Sequence, residues 1–445
     1  MKTRGLPARH RLTEWLEKAT PERLRMKREQ EDRTVAQEAR SLPLSGIRVI
    51  DLTSVVMGPY ASQMLGDFGA DVIKIEAPEG DSTRYTGPAT EHGMAAVFLG
   101  VNRNKRSVVL DLKRPEAQAA LLKLIGTADV FMHSIRPQKL APLGLAPNAL
   151  MARHPKLIFA GLHGFTERGP YGGRPAYDDI IQGMSGLAAL MQHQGGEPRY
   201  FPTIAADKTS GLFASNAILA ALMLRERTGQ GGFVEIPMFE SMVAFNLVEH
   251  LYGGHFDPPL APPGYPRVLD RWRRPYRTAD GFICMMPYTN QHWRQFFAEA
   301  GQPALADDPR FTDIASRTRN IGMLYETTGR FVAGRSTAAW LEACERLQIP
   351  AAPMRQLEEL PSDPHLEAIG FFSEHEDAGL GRVRFPGVPV QMNRQPFAIA
   401  IPPRLGEHTR EILEEIGLAK GEVDALLRQS EPRGAGALPA MAEQQ

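Results

Sequence analysis

The stretch Ile47–Glu76, IRVIDLTSVVMGPYASQMLGDFGADVIKIE, decides the fold. IRVIDLT (Ile47–Thr53) is a short run rich in β-branched residues and reads as a strand. Ser54–Pro59 reads as a loop, YASQMLGDF (Tyr60–Phe68) as a helix that stops at Gly69, and ADVIKIE (Ala70–Glu76) as a second strand. A strand, a helix and a strand at this spacing make a parallel βαβ unit with a right-handed crossover. The first loop holds only Gly58, so the G-x-G-x-x-G of a dinucleotide site is missing.

The same alternation continues outward. VNRNKRSVVLDLK (Val101–Lys113) reads as a strand with Arg103, Lys105 and Arg106 ahead of it, a cluster that suits phosphates or is simply solvated. Pro115–Ile125 has helical periodicity. ADVFMHS (Ala128–Ser134) and LIFAGLHGF (Leu157–Phe165) read as buried strands, with His133 a core histidine. Residues 43–227 are expected to form the first part of a large α/β domain with a largely parallel sheet. Residues 228–275 are expected to be a linker and crossover: FVEIPMFESMVAFNL starts as a strand and continues as a helix, then a Gly- and Pro-rich run carries five arginines between Arg267 and Arg277. Residues 276–350 read as a smaller α+β domain and 351–429 as a return to the large one. Residues 1–42, with 11 Lys or Arg against 7 Asp or Glu, read as a charged extension, and 430–445 as a disordered tail.

Composition narrows the function. The formal net charge is zero, so no global field draws the chain to nucleic acid or an anionic membrane. No apolar run is long enough to span a bilayer and no secretory h-region opens the chain, so a cytoplasmic protein is expected. Cys284 and Cys344 cannot build a disulfide framework or an all-cysteine zinc site, and both read as buried small hydrophobes. No metal-ligand spacing is present.

One carboxylate stands out. FPTIAADKTSG (Phe201–Gly211) places Asp207 just ahead of an apolar helix read as Leu212–Arg227. Unpaired N–H groups and the helix dipole favour its ionised form there, which suits a nucleophile. The plainer reading is that Asp207, Thr209 or Ser210 only caps the helix.

The chain resembles the family III CoA-transferases, the formyl-CoA:oxalate and carnitine-CoA type. The resemblance runs from about Leu42 to about Gln429. It rests, in order, on LSGIRVIDLTSVVMGPYASQMLGDFGADVIKIEAPEGD, NRNKRSVVLDLK, RPAYDDIIQGMSG, AADKTSGL, RTGQGGFVEIPMFESM, PYRTADGFI and LGEHTREILEEIG. It implies a large Rossmann-like α/β domain built from both chain ends, a smaller α+β domain between them, and an interlocked homodimer. It implies coenzyme A as a substrate thioester and no permanently bound cofactor, with a carboxylic acid as the other partner. Asp207 matches the family's nucleophile, which attacks an acyl-CoA to form a mixed anhydride and then an aspartyl-CoA thioester. A carboxylate conserves the group-transfer potential that a serine ester would lose. Positions matching the family's CoA contacts are Val56, Met57, Leu110, Asp111, Lys113, Ser134, Arg136, Tyr177 and Asp178. Lys113, Arg136 and Arg106 are expected to supply charge to the phosphates, and Ile73, Ile75 and Leu110 to wall the adenine.

Departures from the pattern bear on the substrate. Formyl-CoA transferases carry a glutamine at Val56, an arginine at Ala77 and a glycine run where this chain reads PPGYPRVLDRWRR, which argues against formyl and oxalate. An α-methylacyl-CoA racemase shares the fold, but its proton-moving histidine matches Tyr177, and a phenol of pKa about 10 is a poor substitute. A CoA-binding protein without turnover would have no use for Asp207.

Overall fold

The βαβ reading holds, and the sheet grows around it. A computed structural model describes residues 42–393 and 396–430; the expected N-terminal extension and C-terminal tail lie almost wholly outside these. Strands β1 (Arg48–Leu52), β2 (Asp71–Glu76), β3 (Lys105–Val109), β4 (Val130–His133), β5 (Ile158–His163) and β6 (Gly232–Pro237) form one sheet in the order β3-β2-β1-β4-β5-β6. Every pairing is parallel. The order reverses direction between β1 and β4, the arrangement of a doubly wound sheet.

Both faces of this sheet are covered, and the strands show why. Val49, Val72, Val130 and Ile158 point to one side, toward helices α1 (Met57–Asp67) and α4 (Ala205–Thr228). Their neighbours Ile50, Ile73, Phe131 and Phe159 point to the other, toward α2 (Pro115–Ile125). A strand buried on both faces reads as a continuous apolar run, which is how these runs appear in the sequence. The second face also holds Ile412 and Leu413 of α9 (Thr409–Glu415) and Val423 and Leu426 of α10 (Lys420–Ser430). The large unit is therefore closed by the C-terminal part of the chain.

The smaller unit has its own antiparallel sheet, β7 (Tyr276–Arg277), β8 (Phe282–Met285) and β9 (Ala351–Pro353). Helices α6 (Asn290–Glu299), α7 (Ile321–Val332) and α8 (Thr337–Leu347) bury an aromatic core of Trp293, Phe296, Phe297 and Trp340 with it.

Several expectations change. The segment read as linker and crossover starts inside the large unit: β6 pairs with β5, Phe159 opposite Phe233, and α5 (Met238–His250) follows directly. Only residues 251–275 have the connecting texture. The small sheet keeps β9, so the return to the large unit begins after Pro353. Helix α1 starts at Met57, three residues early, and α4 at Ala205, seven residues early. Lys208–Gly211 lacks apolar periodicity but is helical. Gly211 is needed there because a Cβ would come 2.9 Å from the Met57 carbonyl oxygen, so α4 can lie tight on α1. Cys344 is buried, but Cys284 is exposed.

Candidate active site

The doubly wound order puts a crevice at the carboxyl ends of the strands, where β1 and β4 diverge. A cavity of about 290 Å³ lies there. Ser54, Val55 and Met57 come from the β1–α1 turn, Ser134 and Arg136 from the segment after β4, and His163 from the end of β5. Tyr177, just before α3 (Asp178–Met184), and Asp207 complete the wall.

Asp207 sits in the first turn of α4 and does not cap it. The cap comes from α3. The buried Asp178 carboxylate accepts the N–H of Ala206 at 2.7 Å and of Asp207 at 3.1 Å through Oδ1. Its Oδ2 accepts the Gln182 amide at 2.6 Å, and Gln182 Oε1 accepts the N–H of Phe201 at 2.9 Å. The helix N–H groups expected to stabilise an ionised Asp207 are thus spent on Asp178.

That weakens the expected preference for the ionised form. Burial, first, and the neighbouring charge of Asp178, second, push the Asp207 carboxyl up to about 7, against a hydrogen bond from the Met57 backbone. Asp207 is 9% exposed, just enough to face the cavity. Half-ionised near neutrality, it is a stronger nucleophile when ionised than an ordinary carboxylate, because its basicity is higher.

A buried polar network holds the turn opposite. Asp81 accepts the N–H of Val55 at 3.2 Å and the Lys74 ammonium at 2.9 Å, and Lys74 also donates to the Thr53 carbonyl at 3.0 Å. Asp51 accepts from the Thr53 N–H at 2.9 Å and from the Lys105 ammonium at 3.2 Å. Val55 needs this support: its φ of 68° is a left-handed conformation that a β-branched residue reaches only at a cost of ~1–3 kcal/mol. Gly58 is required next to it, since a Cβ there would collide with the Thr53 side chain.

The expected contacts divide. Met57, Ser134, Arg136, Tyr177 and Asp207 share the cavity, and Arg136 is exposed with no carboxylate partner among the described residues. Val56 is buried at the head of α1, while Val55 takes the wall position. Asp111 and Lys113 follow β3, with Lys113 exposed and Asp111 accepting the Lys113 N–H at 3.2 Å. Neither lines the cavity. Ile73, Ile75 and Leu110 are packed in the core against α2, so their side chains do not form an adenine wall. Arg106 is corrected too: it binds Asp71 at 2.8 Å, Glu411 at 2.9 Å and Glu415 at 2.7 Å, which neutralises it at the amino end of β3. The rest of the basic cluster is internal, with Arg103 held by Asp67 and Lys105 by Asp51. His133 is a core histidine, stacked on Phe131, and burial pushes it down to about 3. Val55, His163 and Arg174 are wall residues that the sequence did not single out. Val55 carries no sequence signal, whereas His163 ends an apolar strand run. No group of three His, Cys, Asp or Glu able to hold a metal exists among the described residues.

The family model described as CoA-transferase family III matches residues 44–409. The chain belongs to this family. A succinate–glutarate CoA-transferase of Agrobacterium fabrum is 36% identical over 399 residues, covering 85% of this chain and 96% of that protein. The succinyl-CoA–L-malate CoA-transferase beta subunit of Chloroflexus aurantiacus is 30% identical, covering 87% and 97%. The crystal structure of Rv3272 from Mycobacterium tuberculosis superposes with a TM-score of 0.71 at 31% identity, covering 83% of this chain and 98% of that one. This family III enzyme moves CoA between an acyl-CoA thioester and a carboxylic acid.

Proposed function

We propose that the enzyme exchanges CoA between short dicarboxylic acids, succinyl-CoA serving as donor and a C4 or C5 diacid as acceptor, through a covalent intermediate on Asp207. The names of the two relatives support the substrate class. The observation that carries the mechanism is the buried Asp207 carboxyl on the cavity wall with its raised proton affinity.

The ionised Asp207 oxygen attacks the thioester carbonyl, the C–S bond breaks, and CoA leaves as a thiolate. The product is a mixed anhydride. The thiolate attacks the Asp207 carbonyl, releases the donor acid and leaves an aspartyl-CoA thioester. The acceptor carboxylate then attacks that thioester, and the thiolate it expels takes the new acyl group, which frees Asp207. Each thioester step builds an oxyanion. We assign its donor to the N–H of Gly58, which lines the cavity beside Met57 in the open first turn of α1. Arg136 is assigned to the CoA phosphates.

A homodimer is part of this reading. Phe213 and Met223 on α4 and Phe245 and Val248 on α5 are exposed apolar residues that a second copy would cover. Sedimentation of an active monomer would refute that part. The chemistry is tested by incubation with succinyl-CoA, a hydroxylamine quench and peptide mass spectrometry. A hydroxamate on Asp207, absent after Asp207→Ala, is expected; a mark on another residue would overturn the assignment.

A further inference from the structure

The smaller unit carries a second cavity, of about 560 Å³, that shares no wall residue with the first. Its size suits a small organic ligand. Its floor is apolar: Tyr276, Met285, Tyr325, Ala351 and Ala352. Among the described residues, its only charged wall groups are Arg273 and Arg274, both exposed.

Three other arginines of this unit find carboxylates, while Arg277, Arg294, Arg317, Arg319 and Arg330 form no ion pair among the described residues. Arg335 and Arg346 both bind Glu299 at 2.7 Å, and Arg310 binds Asp308. Arg273 and Arg274 form no ion pair among the described residues, and no Asp or Glu of these lines the cavity. Arg274 is also held in place. The Arg274 guanidinium lies 4.7 Å from the Trp272 ring centre. Stacking uses its flat face and leaves its N–H edge free for a carboxylate. Arg267 braces the same wall: its Nε donates to the Tyr325 hydroxyl at 2.9 Å, and its guanidinium sits 4.8 Å from the Tyr288 ring centre. Two unpaired guanidinium groups above an apolar floor match a molecule with a carboxylate head and a short hydrocarbon body.

We infer that this cavity is a binding site for a short organic acid, with Arg273 and Arg274 gripping its carboxylate and the Met285–Tyr325 floor taking its chain. The inference does not depend on the role of Asp207. The bound acid is either the acceptor of the transfer reaction or an effector, and the two make the same contacts.

The test is calorimetric titration of the full-length protein with glutarate alone, without any CoA thioester. Saturable binding is expected, and Arg273→Gln/Arg274→Gln should weaken it by ~10-fold or more, the loss of charge-assisted hydrogen bonds. Both residues are exposed, so the variant keeps its core. Arg271→Gln, an exposed arginine off the cavity, should bind as the parent does. Absence of saturable binding, full binding by the double variant, or equal weakening by Arg271→Gln would each overturn the inference. Loss of binding in Asp207→Ala alone would place the acid in the other cavity and overturn it as well. Steady-state kinetics of the double variant separate the two sources. A raised KM for the acid at constant kcat marks the acceptor, and a changed kcat at constant KM marks an effector.

Discussion

Asp51 and Asp207 are both buried aspartates near the carboxyl edge of one parallel sheet, and their proton affinities are shifted in opposite directions. Burial pushes both toward the neutral acid. At Asp51 the charges of Lys105 and Lys74 and the hydroxyls of Ser62 and Thr53 outweigh it and keep the group well below its usual range. At Asp207 the charge that acts is another carboxylate, Asp178, which adds to burial. Burial sets the size of the stakes, and the partners set the sign. Asp51 is fully enclosed by donors and serves the scaffold. Asp207 is left short of donors beside an open cavity, where a reacting group must be.

The largest effect should come from removing the under-satisfied carboxylate. Asp207→Ala is expected to lower kcat for CoA transfer by ~10³-fold or more while the protein stays folded. A loss under tenfold would break the contrast.

Next is the satisfied one. Asp51→Asn leaves the buried Lys105 ammonium without its counter-charge, and should cost ~3–5 kcal/mol in urea unfolding. A neutral outcome would mean that the network is not what holds the β1–α1 turn.

Asp207→Asn should do the reverse and stabilise the fold. The Asp207 proton affinity in the folded state is raised from 3.8 to about 7. Between those pH values the folded protein keeps a proton that the unfolded chain has released. The stabilising contribution of the neutral acid is therefore full below the lower value and lost as pH rises through the upper one. The gain from Asp207→Asn should grow across that window and level off above it, to at most ~4 kcal/mol. Unfolding curves at pH 5 and pH 8 measure it, and an equal gain at both would contradict the charge assignment.

The smallest effect belongs to Asp178→Asn. The amide oxygen can still cap α4, but the charge beside Asp207 is gone. The pH midpoint of kcat should fall by ~1 pH unit, with activity at pH 8 kept within ~10-fold. An unmoved midpoint would assign the whole elevation to burial.

Local patterns made most of the fold readable. The apolar runs of β1, β2, β4 and β5 appear in the sequence because strands covered on both faces carry no polar alternation. What stayed hidden depends on distant partners. Arg103 and Lys105 look like a phosphate cluster, but their carboxylates, Asp67 and Asp51, lie 36 and 54 residues away. Asp207 stands out in the sequence by its place ahead of the helix, but the partner that takes the helix N–H groups, Asp178, lies 29 residues earlier. The strained Val55 has no sequence signature, because nothing in V-V-M marks a left-handed φ. The strand signal of FVEIP is local, but its place beside β5 is not, because β6 belongs to the large sheet only through a pairing with residues about 75 positions earlier.

The charge state of Asp207 is read most directly by the single-turnover rate of acyl-enzyme formation with succinyl-CoA, followed from pH 5 to 9 by rapid quench. The rate is expected to climb with pH and level off with a midpoint near 7, the value that burial and Asp178 impose on Asp207. A rate flat across that range would contradict this, since the attacking carboxylate would then be an ordinary, fully ionised one.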